Sequence, residues 1–341
     1  MSTIRNKFTK VLYTHKPGGS LPQLVVAENE NLQSRFIVQR ILELREEGAT
    51  LNDIAILFRS SFLSFDLEIE LAKAGITFQK FGGYKFIETA HIKDLIAYLR
   101  VLDNPRDVVA WNRILLLIDG IGPRNAEKII DDILSKKFTS GSSTFWQDYK
   151  SYPDNVKNLF SMFNTMVTET KTPSDRVSKI ITYYHPIFKK QYDDFNKRGK
   201  DLEMFETIAA RYTDTNTLLT DLALEPPTES IYDMSAPTPD DEILTLSTIH
   251  SAKGLEWHSV FIIYALDGRF PTIHAANNPE ELEEERRLMY VACTRAKENL
   301  IITYPINIYE RETGVILSKP SRFLEGLDSN LLEPWVINEQ V

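Results

Sequence analysis

Three apolar runs rich in β-branched residues, at 243–249, 260–264 and 300–304, lie within one stretch of 62 residues. Runs of this length, dominated by apolar and β-branched residues, mark buried strands, as in a parallel sheet. Between the first two runs sits a polar turn, His250-Ser251-Ala252-Lys253-Gly254-Leu255-Glu256, at the exit of a strand. Ligands of open α/β sheets bind outside the carboxyl ends of strands. Between the second and third runs the sequence predicts a helix, with Asn278 as cap, Pro279 at its first position and Glu280 and Glu281 at the positive end of its dipole. Leu282, Leu288, Met289, Ala292 and Ala296 form its expected buried side. Arg286, Arg287, Arg295 and Lys297 lie towards its negative end. A charged helix covering a sheet accounts for most of these cations. Arg295 differs, because an arginine at the end of a covering helix, beside a strand edge, can point into a cleft. Its planar fork and permanent charge suit a phosphate group.

The strand–helix pattern also runs through the first hundred residues. A strand is predicted at 24–27 and a helix at 31–47, with Leu32, Phe36, Ile37, Ile41 and Leu44 on one face and Gly48 as its stop. Residues 53–59 read as a buried strand ending in Phe58 and Arg59. A helix at 65–74 and a strand at 76–81 follow. Gly82-Gly83 then either makes a turn or lets the backbone approach a neighbour closely. A helix is expected at 91–102, and Asn104-Pro105 marks a boundary.

From Asp107 to about Pro239 the pattern is helical, with helices expected at 111–118, 125–134, 155–167, 175–184 and 201–212. The turn Gly120-Ile121-Gly122-Pro123-Arg124 is similar to a helix-hairpin-helix element, whose exposed N–H groups can hold a DNA phosphate; a plain helical turn has the same sequence. Lys189, Lys190, Lys197, Arg198 and Lys200, interleaved with Phe188, Tyr192 and Phe195, form either a solvated face or a duplex-contacting patch. Prolines within 225–241 mark a linker. The simplest architecture is one α/β domain in two segments, 1–103 and 240–341, interrupted by a mainly helical subdomain at 104–239.

With 43% hydrophobic residues, 341 residues can bury more than one core. The only cysteine, Cys293, excludes an intrachain disulfide framework and a cysteine-based zinc site, and no metal site is expected. No apolar run reaches membrane-spanning length, so a soluble, cytoplasmic protein without a membrane partner is the expectation. The 39 Lys and Arg against 48 Asp and Glu give a net charge of −9. Nucleic-acid binding therefore has to come from local patches or from another domain.

Thr248-Ile249-His250-Ser251-Ala252-Lys253-Gly254-Leu255-Glu256-Trp257 resembles motif V of the UvrD/Rep/PcrA group of superfamily I DNA helicases. Glu284-Glu285-Arg286-Arg287-Leu288-Met289-Tyr290-Val291, with Thr294-Arg295-Ala296, resembles motif VI. The strand ending in Phe58-Arg59 resembles motif IV, and Leu266-Asp267-Gly268-Arg269-Phe270-Pro271 a family turn after motif V. The resemblance implies a second RecA-like motor domain with its inserted subdomain. It implies that Phe58 stacks near the adenine of ATP, that Arg59 and Arg295 act as arginine fingers at the terminal phosphate, and that Glu256 meets the ribose, with Gly254 allowing the turn that aims it. It further implies that Lys85, Phe86, Thr248 and His250 contact single-stranded DNA, while the separate helix-hairpin-helix likeness makes Gly120, Gly122 and Arg124 candidates for duplex contact.

A nucleotide motor also needs a glycine-rich phosphate loop and an acidic pair for Mg²⁺, and neither is present. In the family both belong to a first RecA-like domain preceding the region matched here. The chain is therefore expected to be the C-terminal half of a 3′–5′ DNA helicase, sharing an ATP and Mg²⁺ site with a missing N-terminal RecA-like domain. Alone it is expected to be inactive and to bind no nucleotide tightly. The alternative is a non-enzymatic module, derived from a helicase, that binds DNA or a protein. A helicase-nuclease subunit would need an acidic metal cluster, and Glu310, Glu312, Glu325 and Asp328 do not form a convincing one.

Overall fold

The computed structural model describes residues 19–136, 144–147, 152–223, 242–310 and 314–338. The basic N-terminal residues Arg5, Lys7, Lys10 and Lys16, and the proline-rich linker at 225–241, lie outside them. The chain divides into two compact units, one formed by Met1–Tyr84 with Glu225–Val341, the other by Lys85–Leu224.

The first unit is built on a seven-stranded sheet. Its strands are β1 (Gln23–Ala27), β2 (Ile54–Phe58), β3 (Phe78–Phe81), β4 (Leu244–Thr248), β5 (Trp257–Ile262), β6 (Ala296–Pro305) and, last in sequence, β9 (Glu333–Ile337). Their order is β3-β4-β2-β5-β6-β1-β9, and every ladder is parallel. The central strand β2 is wholly buried. Its side chains alternate, as the pleat requires. Ile54, Ile56 and Phe58 join the core formed with α1 (Glu30–Glu46) and α2 (Phe65–Lys73), while Ala55 and Leu57 join the core formed with Leu288, Met289 and Ala292 of α12 (Pro279–Cys293). Asn278 caps α12 by accepting from the N–H groups of Glu280 and Glu281. An antiparallel pair, β7 (Ile308–Glu310) and β8 (Val315–Leu317), and the short helix α11 (Ile273–Ala276) complete the unit.

The periodicities locate β1 to β6, α1, α2 and α12 to within a few residues. They do not reveal β9. Its sequence, Glu-Pro-Trp-Val-Ile, is mostly exposed, and only pairing with β1 makes it a strand.

The second unit is helical. It contains α3 (Ala90–Asp103), α4 (Val108–Leu116), α5 (Pro123–Ser135), α6 (Thr144–Gln147), α7 (Asp154–Glu169), α8 (Pro173–Gln191), α9 (Phe195–Ala209) and α10 (Thr215–Ala223). The sequence boundary at Asn104-Pro105 left α3 with the sheet. The structure instead packs α3 on α4, α8, α9 and α10, so the first break falls after Tyr84. The reason lies in side chains outside any motif. Buried Asp94 of α3 accepts from Arg113 Nε of α4 at 2.7 Å and from the Tyr184 hydroxyl of α8 at 2.5 Å. His91, also buried, lies 2.8 Å from an Asp201 oxygen on α9. The helix expected at 175–184 runs on through Pro186 to Gln191, because Tyr184 and Phe188 bury one continuous stripe.

Removing the Asp94 carboxylate leaves the buried Tyr184 phenol without its acceptor and Arg113 with Ala90 O in place of an ion pair. Asp94→Ala is expected to lower stability by about 1.5–3 kcal/mol per lost charge-assisted bond, measured as a shift in the urea midpoint of the helical unit's transition.

Candidate functional site

At the carboxyl edge of the sheet, β2, β3 and β4 end side by side, with Phe58 opposite Thr248 and Phe81 opposite Ser247. The segments leaving them carry Arg59 and Ser61, Gly82 and Gly83, and Thr248 to Ser251. Gly82 has φ +82°, and a Cβ there would sit 2.2 Å from Thr248 Oγ1 and 2.8 Å from Ser251 Oγ. A Cβ on Gly83 would sit 2.2 Å from Ser61 Oγ. Of the two sequence readings for the glycine pair, close backbone approach is the one realised. Thr248 Oγ1 donates to Ser251 Oγ at 3.0 Å, and His250 is exposed beside them. From beneath, buried Lys80 donates to Ser61 O at 3.2 Å and pairs with Glu68 at 2.6 Å. Its amine also lies 4.6 Å from the Phe65 ring centre. This buried ion pair anchors the Ser61 turn to the core.

Arg59 also leaves β2 at this edge. Its Nε and Nη2 both reach Glu285 Oε1 at 2.7 Å. Glu285 belongs to the buried face of α12, in line with Leu288, Met289 and Ala292. Its other oxygen, Oε2, is buried and accepts no hydrogen bond among the described residues. Burial pushes the Glu285 carboxyl above the usual carboxylate range, against the opposing pull of Arg59 and His250. Sequence reasoning gave Glu285 no role. The available signal was a carboxylate on an apolar helix stripe, four residues before Met289.

A second constellation lies at the amino edge of β5 and β6. Arg295 follows α12 and precedes β6. It donates through Nε to Val291 O (3.1 Å), through Nη1 to Leu255 O (2.8 Å) and through Nη2 to Thr294 Oγ1 (3.1 Å). All three acceptors are neutral, so the guanidinium is fixed in place, and among the described residues no carboxylate forms an ion pair with it. Glu256, next to Leu255, is exposed. Gly254 has φ +92° with open space where a Cβ would stand, so the turn needs glycine for its backbone conformation alone.

Arg295 and Glu256 therefore come together, and Arg59 does not join them. By the β2–β5 register Leu57 faces Ile262, which puts Arg59 level with Tyr264, 264 − 256 = 8 residues beyond Glu256. At 3.3 Å per residue the two edges are roughly 26 Å apart. The polar turn after β4 was expected to gather at a strand exit. It instead begins at the carboxyl edge with Thr248 and His250 and ends at the amino edge with Glu256, because parallel neighbours force each connection across the sheet.

Two aromatic assignments are also corrected. Phe58 is 0% exposed, packed in the core with the Lys80 amine 5.6 Å from its ring centre, so it presents no face to an adenine. Phe86 is 1% exposed and packs on Phe205 in the helical unit, 5.7 Å between ring centres, so it presents no face to a base. Lys85 is half-buried. In the helical unit Gly120 adopts φ +81° and Gly122 caps α5, both with open space around them, and Arg124 is exposed. Within the basic cluster, Lys190 pairs with Asp119 at 2.6 Å, Arg198 with Asp194 at 2.6 Å, and Lys189 lies over the Phe195 ring. Phe188 is core. In the tail, Glu310 is buried against Arg269, and Asp267 takes both Nε and Nη2 of Arg322. Among the described residues no helix is long and apolar enough to cross a membrane.

A parallel sheet between helices, split in sequence by a helical insertion and carrying an arginine and a carboxylate at one edge, defines a RecA-like α/β domain. The profile of the UvrD-like helicase C-terminal domain matches residues 1–306, and the chain belongs to that family. It is similar to the ATP-dependent DNA helicase PcrA of Staphylococcus epidermidis, with 31% identity over 95% of this chain and 46% of the relative. The PcrA of Staphylococcus aureus is 28% identical over the same shares. The chain spans about half the length of these curated relatives.

The glycines separate two kinds of constraint. Gly82→Ala is expected to cost about 2–4 kcal/mol, from left-handed strain plus displacement of Thr248 and Ser251. Gly254→Ala is expected to cost only about 1–2 kcal/mol, from strain alone. Chemical denaturation of the two variants side by side measures the difference.

Proposed function

We propose that this chain is the C-terminal motor half of an ATP-dependent 3′–5′ DNA helicase, acting with a first RecA-like domain that supplies the phosphate loop and the Mg²⁺ ligands. The observation that carries this reading is the fixation of Arg295 by neutral acceptors beside Glu256. A guanidinium held by carbonyls and a hydroxyl keeps its full charge for an incoming anion. Arg295 meets the terminal phosphate of ATP across the interdomain cleft, and Glu256 accepts the ribose hydroxyls. When the charge of the transferring phosphoryl group develops, Arg295 stabilises it without having to reorient. The cleft closes around ATP because both faces gain charge-assisted contacts, and it opens when hydrolysis removes them.

Single-stranded DNA meets the other edge. Thr248, His250, Ser251, Ser61 and the backbone at Gly82 and Gly83 offer small polar groups and close approach, which suit a sugar–phosphate chain. Arg59 is reassigned from the nucleotide to this edge, as a phosphate contact, because its topological level excludes it from the Arg295 side. The turn at Gly120, Gly122 and Arg124 meets duplex phosphates ahead of the junction, through exposed N–H groups and one cation. The chain's charge of −9 makes these local contacts, rather than a general basic field, the source of affinity.

In the full-length protein, Arg295→Ala is expected to lower DNA-stimulated ATP hydrolysis by about 10³-fold or more, with thermal unfolding of the domain little changed. Unaltered turnover removes Arg295 from the mechanism. Arg59→Ala is expected to weaken oligo(dT) binding and to reduce the salt slope of log K by about 0.7, the value for one single-strand phosphate contact. Fluorescence anisotropy across a salt series measures it.

A further inference from the structure

We propose that Glu285 is a positioning residue that couples the nucleic-acid edge to the nucleotide edge by competing with a DNA phosphate for Arg59. The inference rests on the reading above that single-stranded DNA meets the carboxyl edge. Three observations carry it. Arg59 places both Nε and Nη2 on a single oxygen of Glu285, each at 2.7 Å, while its side chain keeps 25% exposure at the edge. The second oxygen of Glu285 is buried and accepts nothing among the described residues. Glu285 lies in the middle of α12, and that helix leads directly to Arg295.

These features make the pair a poor resting place for two charges. A carboxylate at 4% side-chain exposure depends on Arg59 for its compensation, yet uses only half of its accepting capacity. A phosphate arriving at the edge offers Arg59 a second, better-solvated acceptor. As Arg59 turns outwards, Glu285 loses its partner inside the protein. Facing Glu285 are Arg59 from the end of β2, His250 from the turn after β4 and Glu281 one turn earlier on α12. Of the two groups that remain, His250 is the one whose side chain can carry a positive charge. Its turn continues into Gly254, Leu255 and Glu256, and Leu255 O holds Arg295. The exchange therefore acts on Arg295 by two routes. One is α12 itself, which runs from Glu285 to its end at Cys293, 293 − 285 = 8 residues or about 12 Å of helix, with Arg295 two residues beyond. The other is the turn from His250 to Glu256. A ligand shifts a conformational balance only by binding the two states differently, and the phosphate–Glu285 competition supplies that difference.

The test uses full-length protein with Glu285→Gln and Glu285→Asp, and oligo(dT) as the DNA probe. Anisotropy reads affinity, and ATP hydrolysis is measured with and without oligo(dT). Gln has nearly the same shape but cannot hold the charge of Arg59, so affinity for oligo(dT) is expected to rise about threefold or more. The ratio of stimulated to unstimulated turnover is expected to fall at least tenfold. Glu285→Asp keeps the charge and is expected to retain most of that ratio. Tighter DNA binding with weaker stimulation is a split that simple loss of structure does not produce. A wild-type ratio in Glu285→Gln overturns the inference alone. Parallel losses of affinity and ratio in both variants overturn it in favour of a purely structural carboxylate. If wild-type protein shows no stimulation by oligo(dT), the functional reading itself falls, and the inference with it.

Discussion

Ile54 to Phe58, a strand with no contact with water, sets the direction of everything around it. It pairs in parallel with β4 on one side and β5 on the other, and its alternating side chains seed both apolar layers. With every ladder in the sheet parallel, the chain must recross the sheet after each strand. The carboxyl and amino edges consequently receive different segments and acquire different chemistry. Hydroxyls, a glycine pair and Arg59 collect at one edge. Glu256 and Arg295 collect at the other. The turn from Thr248 to Glu256 touches both because it is the link between β4 and β5.

The two arginines show how the same side chain is prepared for different work. Arg59 faces a buried carboxylate and is largely neutralised at rest. Arg295 is held by carbonyls and a hydroxyl, so its position is fixed without loss of charge. The first arrangement favours exchange between partners. The second favours readiness for an anion that arrives already aligned. Both devices lie on α12 or against it, so this single covering helix joins the two edges mechanically.

Much of the fold was legible because burial and period are local properties. The runs at 243–249, 260–264 and 300–304 became β4, β5 and β6, and the Asn278-Pro279 signal became the cap of α12. The paired readings for Gly82-Gly83 were separable only by contact, since either a turn or a close approach accepts glycine. Phe58 and Phe86 failed as ligand-stacking residues for one reason. An aromatic beside a motif has the same sequence whether its ring faces a ligand or fills the core, and here both rings fill cores. Asp94 and His91 drew α3 into the helical unit through partners 19, 90 and 110 positions away, at separations beyond any local pattern.

The sequence by itself determined the class of fold, the order of the motifs and the residue types available for phosphate and ribose chemistry, because apolar period, capping and side-chain chemistry are written within a few residues of each other. Only the tertiary structure decided which of those residues share an edge. Strand direction and register are collective properties of the whole sheet, and they put Arg295 beside Glu256 while carrying Arg59 to the opposite side, against Glu285.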